Sequence, residues 1–385
     1  MVEKTTARQL AALFGFSGPR AGGVSCQGGS SSNQTSLVIA RNTLYPETKI
    51  KGNDSHRFAV FTSAHGHYSV VKSVTTCGMG RDSVISVDVD KSGRMVPSAL
   101  ERAIQECKHK GMTPLYVNAT SGTTVMGSFD PLDDIAEVCH RHNLWLHVDA
   151  SWGGPVVFSA KHRHKMVGSA RADSVTINPH KMLNVPVTCS FLLGPDMAVF
   201  HRANTLAAGY LFHGPDDEDS DPVVSLAEAD TKDHNSFNEW DLADLTLQCG
   251  RRGDSLKLAL SWTYYGSRGF ETRIDDAFEL AAYFAARVNE HAEFVLVSES
   301  PPPCLQVCFY YAPQGRLAQD AARNSKQTRG MVAALIKRGF MVDHAPGEQG
   351  NFFRVVVNLQ TKKTTVDGLL SALEAIGAEA AVAER

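Results

Sequence analysis

The apolar and polar positions of this sequence follow two spacings along its first two thirds. Residues 82–89 predict a strand, and residues 114–132 predict another strand followed by a loop. Residues 93–111, with Pro97 near their start, and residues 130–144 place apolar side chains three and four positions apart, which predicts helices. Strands that alternate with helices indicate an α/β fold, in which a mostly parallel sheet is covered on both faces.

Further helices are predicted closer to the N-terminus. Residues 5–14 have Leu10, Leu13 and Phe14 at helical spacing, and a turn rich in glycine and serine leads into another apolar helix. The helix over residues 130–144 is expected to be capped at Asp130, since aspartate is a favoured N-cap residue.

From about residue 266 the pattern changes to a second unit. It contains two helices and short strands, which are residues 275–290, 328–339, 305–311 and 351–360. Helices beside a small antiparallel sheet predict an α+β unit. We therefore expect a large domain over residues 1–265 and a smaller domain over residues 266–385.

The segment of about residues 205–240 is polar, acidic and without periodicity. Long segments of this kind inside compact domains are usually functional lids or disordered. We predict a mobile loop here, as part of the larger domain.

Composition excludes several classes of protein. The chain has 385 residues, of which 43% are hydrophobic and 21% charged, as in ordinary globular proteins. A formal net charge of −3 without a basic run gives no support to nucleic-acid binding. No apolar stretch approaches the roughly 20 residues that span a bilayer, and the N-terminus lacks the pattern of a secretory signal. The 8 cysteines are scattered, which indicates reduced thiols in a cytoplasmic protein.

Lys181 is the first candidate for chemistry. It lies in a segment that predicts a strand over residues 174–177, a tight turn at Asn178 and a second strand over residues 187–193. A lysine among apolar neighbours is costly to keep charged, so burial would lower its pKa and leave a nucleophilic amine.

Asp149 is the second candidate, because it ends an apolar strand in the run LWLHVDASWGG. A buried charge needs a partner, and a structural pair with Lys181 would explain either residue alone. Pyridoxal phosphate explains both, since this cofactor binds covalently to a lysine and needs a carboxylate on its ring nitrogen.

At these residues the sequence resembles a known family. HVDASWGG followed by NPHK is similar to the fold-type I pyridoxal-phosphate enzymes and, within them, to the group II amino-acid decarboxylases. Glutamate decarboxylase and cysteine sulfinate decarboxylase are the members it most resembles, from about Gly28 to the C-terminal helix. The resemblance implies a transferase-like fold and a homodimer. Family members usually carry roughly a hundred more residues before this point, so the substrate pocket is the part that the resemblance leaves most open.

A small-residue turn that leads into a helix is a ready anion site, because free N–H groups and the helix dipole converge there. Such turns are more often plain helix caps. Since the family binds phosphate at the matching turn, the resemblance assigns Gly29, Ser30 and Ser31 to the cofactor phosphate. It also implies that Asn178 and His180 help to hold that phosphate.

The resemblance assigns further residues around the cofactor ring. His67 matches the residue that stacks on the pyridine face, and Thr124 matches a threonine near the ring, although a turn-capping hydroxyl would fit Thr124 equally well. Ser151 stands under the ring, where relatives usually have alanine. His65 has no assignment; with His67 it could form half of a metal site, but nothing nearby completes one, so no metal is expected.

Two residues are expected to handle the substrate. Tyr210 matches a tyrosine on a mobile loop, and the resemblance implies that it protonates the substrate α-carbon as general acid. Arg354 matches the residue that binds the substrate α-carboxylate, a role suited to a planar, always-charged fork. A packing role for Tyr210 and an edge-strand salt bridge for Arg354 remain open.

Together these residues predict decarboxylation of a small-molecule amino acid, with an acidic substrate such as glutamate, aspartate or cysteine sulfinate. One alternative is decarboxylation of a specialised biosynthetic substrate, or an aldehyde-forming reaction. Another is an inactive homologue that binds the cofactor without turnover.

Overall fold

The computed structural model describes residues 1–205 and 242–383. Tyr210 and nearly all of the predicted mobile loop lie outside these residues, so the predicted role of Tyr210 is not addressed by the structure.

Within the described residues, seven strands form one sheet in the order β1-β7-β6-β5-β4-β2-β3. The strands are β1 (Gly22–Cys26), β2 (Phe58–Ser63), β3 (Val84–Val87), β4 (Thr113–Thr120), β5 (Trp145–Ala150), β6 (Ser174–Ile177) and β7 (Ser190–Gly194). Strands β2 to β6 are parallel, whereas β7 runs antiparallel to β1 and β6. The predicted α/β fold with a mostly parallel sheet is confirmed.

Helices cover both faces of this sheet. They are α1 (Val2–Leu13), α2 (Gly29–Leu44), α3 (Thr48–Lys51), α4 (Ser69–Thr76), α5 (Pro97–His109), α6 (Leu132–His142) and α7 (Met197–Asn204). Helices α1, α5 and α6 pack over apolar side chains such as Val117 and Val148. Helices α2, α4 and α7 pack on the opposite face, over residues such as Val60 and Leu192.

The face under α2 also carries a buried polar row. Successive side chains of a strand point to opposite faces, so β4 and β5 each present polar residues to α2 and apolar residues to α5 and α6. The members of the row are Asn118, Thr120, His147, Asp149, Ser174 and Thr176, and all are buried. This row brings Asp149 under α2, where its carboxylate meets polar partners.

The C-terminal part has its own antiparallel sheet, in the order β10-β11-β9-β8 among the described residues. Its strands are β8 (Phe294–Leu296), β9 (Gln306–Tyr311), β10 (Asp343–Ala345) and β11 (Phe352–Val356), and its helices are α8 (Ser255–Glu290), α9 (Ala321–Lys337) and α10 (Lys363–Ala383). In the described ranges, no helix is long and apolar enough to cross a membrane.

The strand predicted to start at Val187 was placed too early, because β7 begins at Ser190. The backbone before it is engaged elsewhere: Lys257 Nζ donates to the carbonyls of Val187 (3.2 Å) and Thr188 (3.0 Å). Lys181 therefore lies in a longer connection between β6 and β7 than the tight turn that was predicted.

The predicted helix cap at Asp130 is wrong. Helix α6 is preceded by Pro131 at its N-cap, and the Asp130 carboxylate instead accepts backbone N–H groups from Met95 and Thr120, each at 2.7 Å. Asp130 thereby holds the end of β4, next to the strand that carries Asp149. Strand β1 was not predicted either, because its sequence GGVSC lacks alternation.

Candidate active site

Lys181 follows the carboxyl end of β6, where its backbone N–H donates to the Asn178 carbonyl at 3.0 Å. Its side chain is half-buried. Burial lowers the pKa of the Lys181 amine, the positive charge of Arg354 lowers it further, and Asp149 opposes both. The lowered pKa agrees with the predicted shift toward a neutral amine.

Asp149 is buried at the end of β5. Its Oδ2 accepts a hydrogen bond from Asn33 Nδ2 (2.8 Å), and its Oδ1 accepts one from the Ser151 backbone N–H (3.0 Å). Burial alone would raise the pKa of this carboxyl, but Lys181 and the hydrogen bonds outweigh burial and lower the pKa. The carboxylate is therefore ionised, and its orientation is fixed by hydrogen bonds from Asn33 and Ser151.

The first residue of α2, Gly29, packs directly against two other predicted site residues. A Cβ atom added to Gly29 would lie 2.6 Å from Asn178 Nδ2 and 2.7 Å from Ser151 Oγ. Glycine leaves room for this approach, whereas a Cβ would displace at least one of the two side chains. Ser30 and Ser31 follow in the first turn of α2, and Ser30 is exposed. The 16-residue helix α2 thus directs its N-terminus toward the place where Ser151 and Asn178 meet.

Two serines that the sequence analysis did not identify lie next to Asn178. Ser190 Oγ donates to Asn178 Oδ1 at 2.6 Å, and Ser32 and Ser190 share a hydrogen bond of 2.8 Å. Both serines are fully buried. Their positions, in α2 and β7, become adjacent only through the sheet order, so no local signal in the sequence identifies them.

His67 precedes helix α4 and is half-buried. Its Nδ1 accepts the backbone N–H of Ser69 at 3.2 Å. Burial lowers the pKa of His67, Lys181 lowers it further, and the charge of Asp149 opposes the shift. The charges of Asp149 and Lys181 both act on this ring, which indicates that the three residues lie near one another.

Arg354 joins the small sheet to the loop after β4. From β11, its Nε donates to the Thr124 carbonyl at 2.7 Å. Gln306, which was not predicted, adds a second link through Nε2 to the Thr123 carbonyl at 2.9 Å. The side chain of Thr124 is exposed, so the contact seen for this residue is made by its backbone.

His180 links the two ends of the β6–β7 connection, which carries Lys181. Its Nδ1 lies 2.6 Å from the Cys189 carbonyl oxygen and 3.1 Å from the Cys189 backbone nitrogen. This nitrogen of the ring is thus engaged with the start of β7. In the described part of the chain, no three His, Cys, Asp or Glu side chains converge to hold a metal ion.

Comparison with known proteins identifies the family. The family model described as the pyridoxal-dependent decarboxylase conserved domain matches residues 1–312. The chain belongs to the pyridoxal-dependent decarboxylase family. It is accordingly a pyridoxal-phosphate-dependent carboxy-lyase that acts on an amino acid, as its resemblance to group II decarboxylases predicted.

Relatives of this decarboxylase are similar to it in sequence or in structure along almost its whole length. It is 55% identical over 377 residues to an L-aspartate decarboxylase, dtxS4, of Metarhizium robertsii, covering 98% of this chain and 72% of the relative. It is 40% identical over 397 residues to the glutamate decarboxylase-like protein FG08083 of Gibberella zeae, covering 98% and 76%. The crystal structure of mouse CSAD matches with a TM-score of 0.86 and 39% identity, over 98% of this chain and 75% of that one. The predicted fold type I is confirmed.

The residues present fit the family cofactor. The charges of the half-buried Lys181 amine and the buried Asp149 carboxylate act on each other. The N-terminus of α2 approaches Ser151, whose backbone N–H donates to that carboxylate. These are the groups that pyridoxal phosphate requires for its aldehyde, its ring nitrogen and its phosphate.

Proposed function

We propose that this decarboxylase acts on an acidic L-amino acid, with aspartate preferred over glutamate and cysteine sulfinate, and releases the amine and carbon dioxide. The observation that carries the proposal is the 55% identity to an L-aspartate decarboxylase over 98% of the chain. The 40% identity to a glutamate decarboxylase-like protein also favours an acidic substrate.

We assign the cofactor contacts as follows. Lys181 holds the cofactor covalently between turnovers, and the N-terminus of α2, from Gly29, binds the phosphate with Ser30, Ser31 and Asn178. When bound, pyridoxal phosphate supplies an electron-withdrawing ring that accepts the electron pair left by carbon dioxide. Because the Asp149 carboxylate is ionised and fixed by two donors, it can hold a proton at the ring nitrogen.

His67 and Ser151 are assigned to the two faces of the ring, and His180 and Thr124 to its surroundings. His67 presents a flat ring that is mostly neutral at neutral pH, since burial lowers its pKa. A neutral ring can stack on the cofactor without placing a cation against the protonated pyridine.

Arg354 is assigned to the substrate α-carboxylate. Its Nε is bound to the Thr124 carbonyl, which fixes the plane of the guanidinium and leaves its terminal N–H groups to form a fork for a carboxylate. Holding the α-carboxylate orients the bond to be broken relative to the cofactor ring. Tyr210 is assigned from sequence alone as the group that returns a proton to the α-carbon.

We also propose a homodimer. The segment over residues 242–266 exposes large apolar side chains, which are Leu247, Leu256, Leu260 and Tyr264. Val187 is 71% exposed and is tied to the same helix through Lys257. Exposed apolar side chains that are concentrated in one segment are typical of a protein interface. Analytical ultracentrifugation of the parent and of Leu260→Asp tests this, with a monomer expected only for the variant.

Two further assignments are kept as proposals. The boundary between the domains lies at about residue 266, where Gly266 has a φ of 66° and interrupts the helical backbone of α8. A cytoplasmic location is supported by the cysteines, all of which are unpaired thiols.

The test of the proposed substrate is carbon dioxide release from a panel of aspartate, glutamate, cysteine sulfinate, tryptophan and tyrosine at equal concentration. We expect aspartate to give the highest kcat/KM and the aromatic substrates to give none above background. Lys181→Ala serves as the matched control for uncatalysed loss. Turnover of an aromatic substrate alone would contradict the proposal, and absence of turnover in a cofactor-loaded protein would favour an inactive homologue.

A further inference from the structure

A buried chain of polar side chains lies behind Asp149. Asn33, on α2, donates both amide hydrogens of its Nδ2, one to Asp149 Oδ2 (2.8 Å) and one to Ser69 Oγ (3.0 Å). Its Oδ1 lies 3.1 Å from His147 Nε2. Since the Asn33 oxygen can only accept, His147 must donate from Nε2.

The other nitrogen of His147 continues the chain. Burial lowers the pKa of His147 to about 4, so the ring is neutral and its Nδ1 is an acceptor. Ser174 Oγ lies 2.8 Å and Ser36 Oγ 3.0 Å from this Nδ1. These hydroxyls are in turn supplied by Tyr116 OH, which donates to Ser36 (3.1 Å), and by Trp145 Nε1, which donates to Ser174 (2.9 Å).

The resulting chain is directional. Trp145 Nε1 can only donate, and Tyr116 OH donates to Ser36. The two serine hydroxyls also share a hydrogen bond of 2.7 Å, so one of them donates to the single lone pair of His147 Nδ1. His147 then donates to Asn33, and Asn33 donates to the carboxylate. Hydrogen bonds arranged head to tail polarise one another, which strengthens the last bond. All these side chains are buried, and apolar side chains of similar size would fill the same space without the cost of burying polar groups.

We propose that Asn33 and His147 are positioning residues that hold the Asp149 carboxylate in one orientation toward the ring nitrogen of the cofactor. The inference rests on the proposed role of Asp149 and extends it to groups that do not touch the cofactor. Asn33 fixes the carboxylate through a single N–H, and His147 fixes the amide of Asn33 so that this N–H, and not the amide oxygen, faces Asp149.

The test compares two ligands that differ at one atom. The full-length protein, freed of cofactor, is titrated with pyridoxal 5′-phosphate and with 1-deazapyridoxal 5′-phosphate, in which a carbon replaces the ring nitrogen. The ratio of the two dissociation constants reports only what the protein does at that atom. General damage to the fold or to the phosphate site changes both constants and leaves the ratio unchanged.

Paired variants separate positioning from packing. His147→Gln keeps a donor near the place of Nε2, whereas His147→Asn is too short to reach Asn33. Asn33→Leu removes the amide, and Asn324→Leu is its matched control, because Asn324 is equally buried at 3% exposure and also makes three hydrogen bonds, but far from Asp149.

We expect the parent, His147→Gln and Asn324→Leu to bind pyridoxal phosphate more tightly than its deaza analogue by a similar ratio. In Asn33→Leu and His147→Asn this ratio should fall about ten-fold, the usual effect of losing a hydrogen bond to a charged group. An unchanged ratio in both variants would overturn the inference while leaving the role of Asp149 intact. A parent that binds both ligands equally would overturn the role of Asp149 itself.

If the larger substitutions do not fold, Tyr116→Phe at the start of the chain replaces them. Its control is Tyr310→Phe, which also loses one buried hydroxyl that donates at 3.1 Å, to the Gly350 carbonyl in the small domain. We expect a reduced ratio for Tyr116→Phe alone, and equal ratios in the two variants would overturn the inference.

Discussion

Gly29→Ala is the substitution for which the structure gives the most definite expectation. The added Cβ would stand 2.6 Å from Asn178 Nδ2 and 2.7 Å from Ser151 Oγ, whereas ordinary contacts begin at 3.4 Å. One side of the site must therefore move by about 0.8 Å, the difference between 3.4 and 2.6 Å. Asn178 cannot turn away freely, because its Oδ1 is bound to Ser190 at 2.6 Å.

The expected cost follows from overpacking. Forcing an extra methyl group into a packed site costs about 1 to 3 kcal/mol, and the higher helix propensity of alanine offsets at most about 1 kcal/mol of the effect on stability. The displaced groups line the proposed phosphate site, so we expect cofactor affinity to fall by about ten-fold or more. The free energy of unfolding of the cofactor-free protein should change by no more than about 2 kcal/mol.

The assay is a titration of the cofactor-free protein with pyridoxal phosphate, followed by its absorbance, together with urea unfolding. Gly330→Ala is the matched control, since Gly330 lies within helix α9 and a Cβ there meets nothing within 4 Å. That variant should gain about 0.5 to 1 kcal/mol of stability and bind the cofactor normally. Parent-like affinity in a folded Gly29→Ala variant would refute the placement of the phosphate.

Three further predictions concern other residues. Burial raises the pKa of Asp130 to about 6, so the folded state favours the protonated carboxyl. The stabilisation that this protonation provides is complete below about pH 4 and is lost as the pH rises through 6. The parent loses this stabilisation and Asp130→Asn does not. The free energy of unfolding of the variant minus that of the parent should therefore increase by about 1 kcal/mol between pH 5 and pH 7.5 in thermal unfolding. A difference that does not change with pH would contradict the raised pKa of Asp130. Arg354→Lys should raise KM about ten-fold or more with a smaller fall in kcat, because lysine loses both the fork and the bond to Thr124; an unchanged KM would remove Arg354 from the substrate site. Tyr210→Phe should divert product from amine to aldehyde in chromatographic analysis of air-saturated reactions, because the resemblance associates phenylalanine at this place with aldehyde formation, an oxidation that consumes dioxygen and releases ammonia. Amine alone at the parent rate would exclude Tyr210 as the proton donor.

The parts of the fold and site that could be predicted depend on local patterns. Lys181 and Asp149 stand out because each is a charged residue next to an apolar strand, and the order of strands and helices places both at the same edge of a parallel sheet. Gly29 could be found because a turn of small residues before a helix has a physical use that does not depend on distant partners.

The parts that could not be predicted depend on pairings between distant strands. His147 and Ser174 become neighbours only through the register of β5 with β6, and Asn33 meets Asp149 only because α2 crosses that edge of the sheet. Asp130 has the sequence of a helix cap, but two backbone N–H groups from other segments take its carboxylate. Long-range contacts of this kind override local preference.

The central claim is that Lys181 and Asp149 face one pyridoxal phosphate. The most direct measurement is to load the protein with the cofactor, reduce it with borohydride and map the modified peptide by mass spectrometry, in the parent and in Asp149→Ala. We predict that the reduced cofactor is attached to Lys181 and that its yield at a limiting cofactor concentration falls in the variant. Attachment to a different lysine, or equal yield in both proteins, would contradict the account.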